Sequence, residues 1–502
     1  MVQHKKILDI SPVTRLEGHL DFRVELEGSK VISSWSSGAL IRGFEVMLQG
    51  RDPLDALVMV PRICGVCPTS HQLSAVKALD QLSNAQIPPN AHLVRSILQA
   101  LETIYSHAAQ FYVLFGPDLV NEKYTSSSLK KEVDRRFAPL SGSSYLNAVE
   151  AKRLLNGIYA ILGGQYPHCN VFVPGGVTCS PDLSDLVKIK DILAQVVEMV
   201  ETMALGCSLQ RWLENRSLQD VLNWLEEKEE HRNSDLGLFI RYGQEIGLQN
   251  VGAGPGTFIA YPYLEDGSGT PLFKGGFVSP EGAIPLEHEE ISEQVRYSWA
   301  ADYQGGRHPF QGETRIELTE EGGKYSYLKS LRYGNDPAEA GPLARMLADG
   351  DPLVKDLGDK LGVSVFTRML ARLHEMVRLI VSAGEMVDQL NLKEPFYEKP
   401  AKLKDGKAVG LNEAPRGAIG HWVIVENGKL ANYQIVTPTA WNASPRGEDE
   451  QGGPIEQAVL GVELENEENP VELQHVIRSF DPCLACAVHL VQGDWSFKKQ
   501  IV

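Results

Sequence analysis

The residues with the strongest chemical meaning lie at opposite ends of the chain, in "RICGVCPTSH" (62–71) and "DPCLACAVH" (481–489). Each stretch holds a Cys-x-x-Cys pair followed by a histidine. Of seven cysteines in 502 residues, four sit in these two pairs. A Cys-x-x-Cys pair at the start of a helix can grip one metal ion from two adjacent thiolates. Two pairs make a four-thiolate set that suits zinc, iron or nickel. Three readings stay open on spacing alone: a functional metal centre, a structural zinc site, and two unrelated pairs. Zinc ribbons draw both pairs from sequence roughly 15–20 residues apart, whereas residues 68–482 intervene between Cys67 and Cys483. A thioredoxin-like redox site needs only one pair. A shared centre would be closed by both ends of the chain and lie deep in the fold, and the functional metal centre is the leading reading.

Such a centre needs long elements to carry its ligands together. "HLDFRVELEGSKVISSWSSG" (19–38) alternates apolar and polar residues around an "EGSK" turn and reads as a hairpin. Residues 92–115 place Leu93, Ile97, Leu101, Ile104, Ala108 and Phe111 on one helical face. Residues 182–213, opening on an Asp182 N-cap, and 364–391 read as two further long helices. The Gly/Pro-rich stretch 250–285 predicts short strands and turns, and 417–439 a hairpin about Asn427-Gly428. The expected class is α+β: a long-helix bundle core with small peripheral β-sheets, and a metal site closed by both chain ends.

Bulk properties exclude several classes. A net charge of −17 supplies no basic surplus for nucleic acid and suits an anionic membrane surface poorly. No run of about 18 apolar residues predicts a membrane span, and the start, "MVQHKKILDISPV", has no apolar core of a signal peptide. The acidic stretch 225–235 reads as a solvated face. Cys169, Cys179 and Cys207 stand apart and read as core residues. "GAGPG" (252–256) precedes no helix and reads as a turn rather than a nucleotide loop.

The residues around the pairs narrow the reading. "RICGVCPTSH" together with "RSFDPCLACAVH" resembles the signature pair of the large, catalytic subunit of nickel–iron hydrogenases. "DISPVTRLEGHL" (9–20), "RGFEVMLQGRDP" (42–53), "PHCNVFVPGGV" (167–177), "EAPRGAIGHW" (413–422), "YQIVTPTAWNASPR" (433–446) and "GPIEQAVLG" (453–461) are similar to further motifs of that family, in family order and across nearly the whole chain.

The resemblance implies an oxidoreductase that cleaves H2 heterolytically to protons and electrons, in the uptake direction, with a low-turnover hydrogen-sensing subunit as the alternative. It implies Cys64 and Cys483 as terminal nickel ligands and Cys67 and Cys486 as bridges to an iron that also carries CO and CN. Cys483 or Arg416 would take the proton, and Glu17 would relay it. Arginine is a poor base, so positioning and polarising the site is the competing role for Arg416. Pro415, Arg416, Pro438 and Thr439 would face the small ligands on iron, and Asp481 would belong to a carboxylate canopy. His71 would hydrogen-bond a bridging sulfur, against a plain core role. Glu45, the carbonyl of Ile435 and His489 would hold magnesium or another divalent ion. One position departs from part of the family: Ser106 stands where some members carry an aspartate.

After the centre takes four cysteines, three scattered ones remain, too few for the four that an iron–sulfur cluster usually takes. The resemblance supplies the expected partner, an obligate small subunit holding the clusters. It also implies metal chaperones and an endopeptidase that cuts after His489, which divides the chain into one domain (1–489) and a removable extension (490–502). Cutting would latch the chain over the assembled metals. The expected location is cytoplasmic or membrane-associated through partners, with export only together with the small subunit, and higher oligomers of the heterodimer remain open.

Overall fold

The computed structural model describes residues 5–41, 43–319 and 321–487. Its centre is a set of helices: α1 (Pro68–Ser83), α2 (Pro89–Ala109), α3 (Ser143–Leu162), α4 (Leu183–Met199), α5 (Val365–Gln389) and α6 (Val471–Ser479). Helices α2 and α5 pack along each other, α3 lies on α2, and α4 lies on α3. Asp182 caps α4 and Ser364 caps α5, each in a reciprocal capping box, with Asp185 and Thr367 as the returning side chains. The expected helix over 182–213 is interrupted. It passes through a π-helical turn, Val200–Leu205, and stops at Gly206, whose φ is +70°. A Cβ there would lie 2.2 Å from the Glu230 carbonyl oxygen. The expected helix over 92–115 likewise ends its α form at Ala109 and continues as a π-helical turn to Phe115. Helix α2 is buried on nearly every side, including Arg95, Glu102 and His107, so its single apolar stripe understated its depth.

Small antiparallel sheets surround this core. Strands β1 (Lys5–Ile10), β2 (Leu20–Glu27) and β3 (Lys30–Gly38) pair in order, and the β2–β3 hairpin falls where alternation placed it. Strands β4 (Gly406–Ala414), β5 (Gly417–Glu426) and β6 (Lys429–Val436) form a second meander. Its Asn427-Gly428 turn has both φ values positive, at 52° and 70°. Five short strands between Phe258 and Ile284 occupy the Gly/Pro-rich stretch. Helix α1 lies directly on the second sheet. Gly410 permits this, because a Cβ there would sit 1.7 Å from the Ser74 carbonyl oxygen. This contact presses the helix that follows Cys67 against the β4–β5–β6 face.

Among the described residues no helix is long and apolar enough to cross a membrane. The expected α+β class, with helices at the centre and small sheets outside, is what the chain adopts.

Candidate metal centre

The N-terminal pair is delivered by a 3-10 turn, Val60–Ile63. Cys64 follows it in extended conformation, and Cys67 is the N-cap residue of α1. The C-terminal pair follows α6: Cys483 comes just after Pro482, and Cys486 lies in the short helix Leu484–Ala487. The fold brings the two ends together. Cys64 Sγ lies 3.5 Å from Cys483 Sγ, Cys67 Sγ 3.1 Å from Cys486 Sγ, and Cys483 Sγ 2.9 Å from Cys486 Sγ. All four sulfurs fall within 4.8 Å of one another and all four residues are buried. Metal–sulfur bonds of about 2.3 Å in a tetrahedral set put sulfurs roughly 3.7 Å apart, so this donor set fits a soft metal ion.

Backbone contacts hold the two ends in register. The Glu17 carbonyl accepts the Leu484 N–H at 2.7 Å, and Glu17 and Cys483 form a parallel bridge. Gly18 makes this approach possible. It has φ +84°, and a Cβ there would lie 2.6 Å from the Ala485 nitrogen. Behind the bridge, Arg478 donates to the Thr14 carbonyl at 2.9 and 3.0 Å and to Asp118 at 2.6 Å. Arg15 pairs with the other oxygen of Asp118. The buried Asp118 thus joins the segment before Glu17 to the helix before Cys483. Thr439 Oγ1 accepts the Cys483 N–H at 2.8 Å, and Pro438 and Thr439 open a short buried helix behind it.

Arg416 covers the cluster. It donates to the Asp481 carbonyl at 2.9 Å, to Asp481 Oδ1 at 3.0 Å and to Ser106 Oγ at 3.4 Å. Burial opposes its charge, but Asp481 and the cysteine sulfurs outweigh that and raise its pKa further. A fixed cation therefore faces the thiols. Asp481 holds φ at 53°, a left-handed conformation uncommon for a non-glycine residue. Burial raises its carboxyl, against the opposing charges of Arg416 and Arg372. Ser106, the departing position, is a member of this group.

The remaining expected residues divide. Glu45 is buried, and its Oε1 accepts the Ile435 N–H, not its carbonyl, at 2.8 Å, which places the two residues side by side. Burial pushes the Glu45 carboxyl up to about 7, against the nearby charge of Lys329. His489 lies outside the described residues, as does the 490–502 extension. Glu17 is half-buried. His71 is fully buried one turn after Cys67, and its Nδ1 lies 3.2 Å from His421 Nε2.

Several contributors carried no local signal. Glu102 on α2 accepts the N–H groups of Thr69 at 2.7 Å and Ser70 at 3.0 Å, clamping the start of α1 beside Cys67. Thr314 donates to Glu45, Lys329 pairs with Glu293 at 2.9 Å, and Gln434 contacts both Thr314 and Lys329. Arg372 donates to the Ser479 carbonyl at 2.9 Å. Of these, only Gln434 sits inside a motif, "YQIVTPTAWNASPR". The expectation that three cysteines are plain core holds in full for the buried Cys169, while Cys179 and Cys207 are partly exposed.

Comparison with known proteins agrees with this geometry. The family described as nickel-dependent hydrogenase matches residues 42–135 and 140–489. The periplasmic [NiFeSe] hydrogenase large subunit of Desulfomicrobium baculatum is 31% identical, covering 97% of this chain and 95% of that protein. The hydrogenase-2 large chain of Escherichia coli (strain K12) is 28% identical over 97% of this chain and 98% of its own length. The uptake hydrogenase large subunit of Rubrivivax gelatinosus is 29% identical over 97% and 95%. Among solved structures, H2-activated [NiFeSe] hydrogenase from Dm. baculatum superposes with a TM-score of 0.84 at 30% identity, covering 97% of this chain and 100% of that one. The buried cluster drawn from both chain ends and these whole-length matches lead to one conclusion: the chain belongs to the nickel-dependent hydrogenase family, as a large subunit of the [NiFe] type.

Proposed function

We propose that this chain cleaves H2 at a nickel–iron centre held by Cys64, Cys67, Cys483 and Cys486, in the uptake direction, and passes electrons to an iron–sulfur small subunit. The observation that carries the reading is the buried cluster of four sulfurs, two from each end of the chain, all within 4.8 Å of one another. Contacts run between the motifs, Cys64 to Cys483 and Cys67 to Cys486, as well as within the second one, Cys483 to Cys486. Those four thiolates would hold the nickel and the iron together. When bound, such a centre supplies the redox-active, Lewis-acidic pair at which hydrogen is split.

The chain's own groups divide the remaining work. Arg416 stays charged and orients the site, anchored by Asp481 and Ser106. Cys483 Sγ would take the proton, since Glu17, its half-buried bridge neighbour, is the carboxylate residue next to it along the backbone. Pro415, Arg416, Pro438 and Thr439 form the wall toward CO and CN ligands on iron. The Thr439 oxygen already accepts from the Cys483 N–H, so its O–H is what it would offer to such a ligand. Glu45, the Ile435 carbonyl and His489 are the residues that would hold magnesium or another divalent ion.

The small subunit would dock beside Cys64. Leu54 and Val58, on the approach to that cysteine, are 46% and 60% exposed. With Arg62 and His168 they line a cleft of about 760 Å³. Exposed apolar side chains beside a redox site suit a partner that must bring a cluster near it. The relative from R. gelatinosus is named an uptake hydrogenase, in keeping with the proposed direction.

Metal analysis with infrared spectroscopy tests the proposal. The matured large subunit, the small subunit's clusters apart, should hold nickel and iron in equal amounts and show bands of metal-bound CO and CN. Zinc on the four thiolates, with no such bands, would overturn it.

A further inference from the structure

A hydrogen-bonded chain runs through the second sheet to His71. Tyr433 Oη lies 2.8 Å from His421 Nδ1, and His421 Nε2 lies 3.2 Å from His71 Nδ1. All three side chains are fully buried. His421 on β5 pairs with Ile435, and Val423 pairs with Tyr433, so His421 and Tyr433 are diagonal neighbours on one sheet face. Helix α1, which carries His71, packs on the same sheet.

Counting protons gives the chain a direction. The phenol has one proton, and His421 Nδ1 is its one hydrogen-bond partner among the described residues. If the phenol oxygen accepted there, its own proton would be buried without an acceptor, at a cost of about 1–3 kcal/mol. The phenol therefore donates. A neutral imidazole that accepts at Nδ1 carries its proton on Nε2, so His421 donates from Nε2 to His71 Nδ1. The same rule then puts the His71 proton on Nε2.

We propose that Tyr433 and His421 are positioning residues that together fix the tautomer of His71, making it a hydrogen-bond donor from Nε2 toward the cysteine centre. This rests on the proposed function and on the role that the family resemblance implies for His71, a hydrogen bond to a cysteine sulfur of the centre. A donor at that place draws electron density from the sulfur. The opposite tautomer would present a lone pair and leave the sulfur more electron-rich. Both positioning residues act through His71.

The test uses the matured protein with its small subunit. Tyr433→Phe keeps the ring and removes only the proton that sets the direction. The CO and CN bands should then move to lower wavenumber or split into two sets, because both tautomers of the histidine pair become accessible. His421→Gln preserves the direction, its amide oxygen accepting from Tyr433 and its NH2 donating to His71, and should return the wild-type bands. Neutron diffraction after exchange into D2O should place deuterium on Nε2 of both His71 and His421. A merely structural role for Tyr433 would lower thermal stability without moving the bands. Deuterium on His71 Nδ1, unmoved bands in Y433F, or bands in H421Q displaced as far as those of Y433F would overturn the relay. Absence of diatomic bands in the wild type would overturn the metal-centre reading instead, and the deuterium positions would still decide the relay.

Discussion

Leu484 donates its backbone N–H to the carbonyl of Glu17 at 2.7 Å, and so ties the N-terminal segment to the start of the short helix that carries Cys486. That hydrogen bond, with the parallel bridge beside it, places Glu17 from the start of the chain next to Cys483, near its end. The residue proposed to carry protons is therefore anchored by the same backbone contact that positions the cysteine it would serve.

Glu17→Gln tests that arrangement. The carboxamide matches the shape but cannot relay a proton. Nickel and iron content and infrared bands should stay at wild-type levels, while hydrogen oxidation falls by roughly 10²-fold or more. Full activity with unaltered bands would place the relay elsewhere.

Gly18→Ala should disturb the site through the backbone alone. At φ +84°, with 2.6 Å between a new Cβ and the Ala485 nitrogen, the two segments must separate. The strain costs on the order of 1–3 kcal/mol. The matured protein should show a lower thermal midpoint and a reduced nickel content. Wild-type values for both would mean that the segments can shift apart without loss.

Asp118→Asn should act at a distance. The carboxylate is buried and answers two arginines, Arg15 and Arg478, on either side of the bridge. Removing it leaves cationic groups without their partner, which costs roughly 3–5 kcal/mol for a buried pair; the partial exposure of Arg15 puts the expected loss at the lower end. Thermal unfolding and limited proteolysis of the N-terminal segment would register it. Unaltered proteolysis and an unaltered midpoint would show that the two ends are held without this link.

Glu456 gives a pH signature far from the cysteines. Burial lifts its carboxyl to about 7, against the opposing hydrogen bonds from the Ser36 N–H and Tyr325 and the charges of Arg446 and Arg332. The folded protein thus holds the proton more tightly than the unfolded chain, where the value is 4.5. The resulting stabilisation is whole below the unfolded value, declines as pH rises toward 7, and is lost above it. It amounts to at most about 3 kcal/mol. Glutamine does not titrate. The difference in thermal midpoint, E456Q minus wild type, should therefore increase from about pH 5 to about pH 8. A flat difference would mean that Glu456 is already ionised in the folded protein.

Much of this protein is legible in its sequence because the relevant signals are local. Asp182 and Ser364 announce helix starts through side chains that bond their own backbone. Asn427-Gly428 announces a turn because both residues tolerate positive φ. The two Cys-x-x-Cys pairs announce a soft-metal site because thiolate spacing is itself the chemistry. The interruption at Gly206 was hidden, since its cause is the Glu230 backbone pressed against it from another helix. Strands β1 and β4 were missed in the same way, because each forms an edge of its sheet and takes its register from the strand it joins.

The sequence by itself determined which residues could bind metal and where three of the long helical stretches would lie, since residue type and short-range spacing control both; helices such as Ser143–Leu162 and Val471–Ser479 carried no such signal. Only the tertiary structure decided which sulfurs meet, that Glu102 clamps the start of α1, that Asp118 joins two distant arginines, and that Tyr433 reaches His71 through His421. Those relations depend on how α1 sits on the second sheet and how α6 returns to the first segment. Close packing of whole elements sets them, and no short stretch of sequence contains the surfaces that must meet.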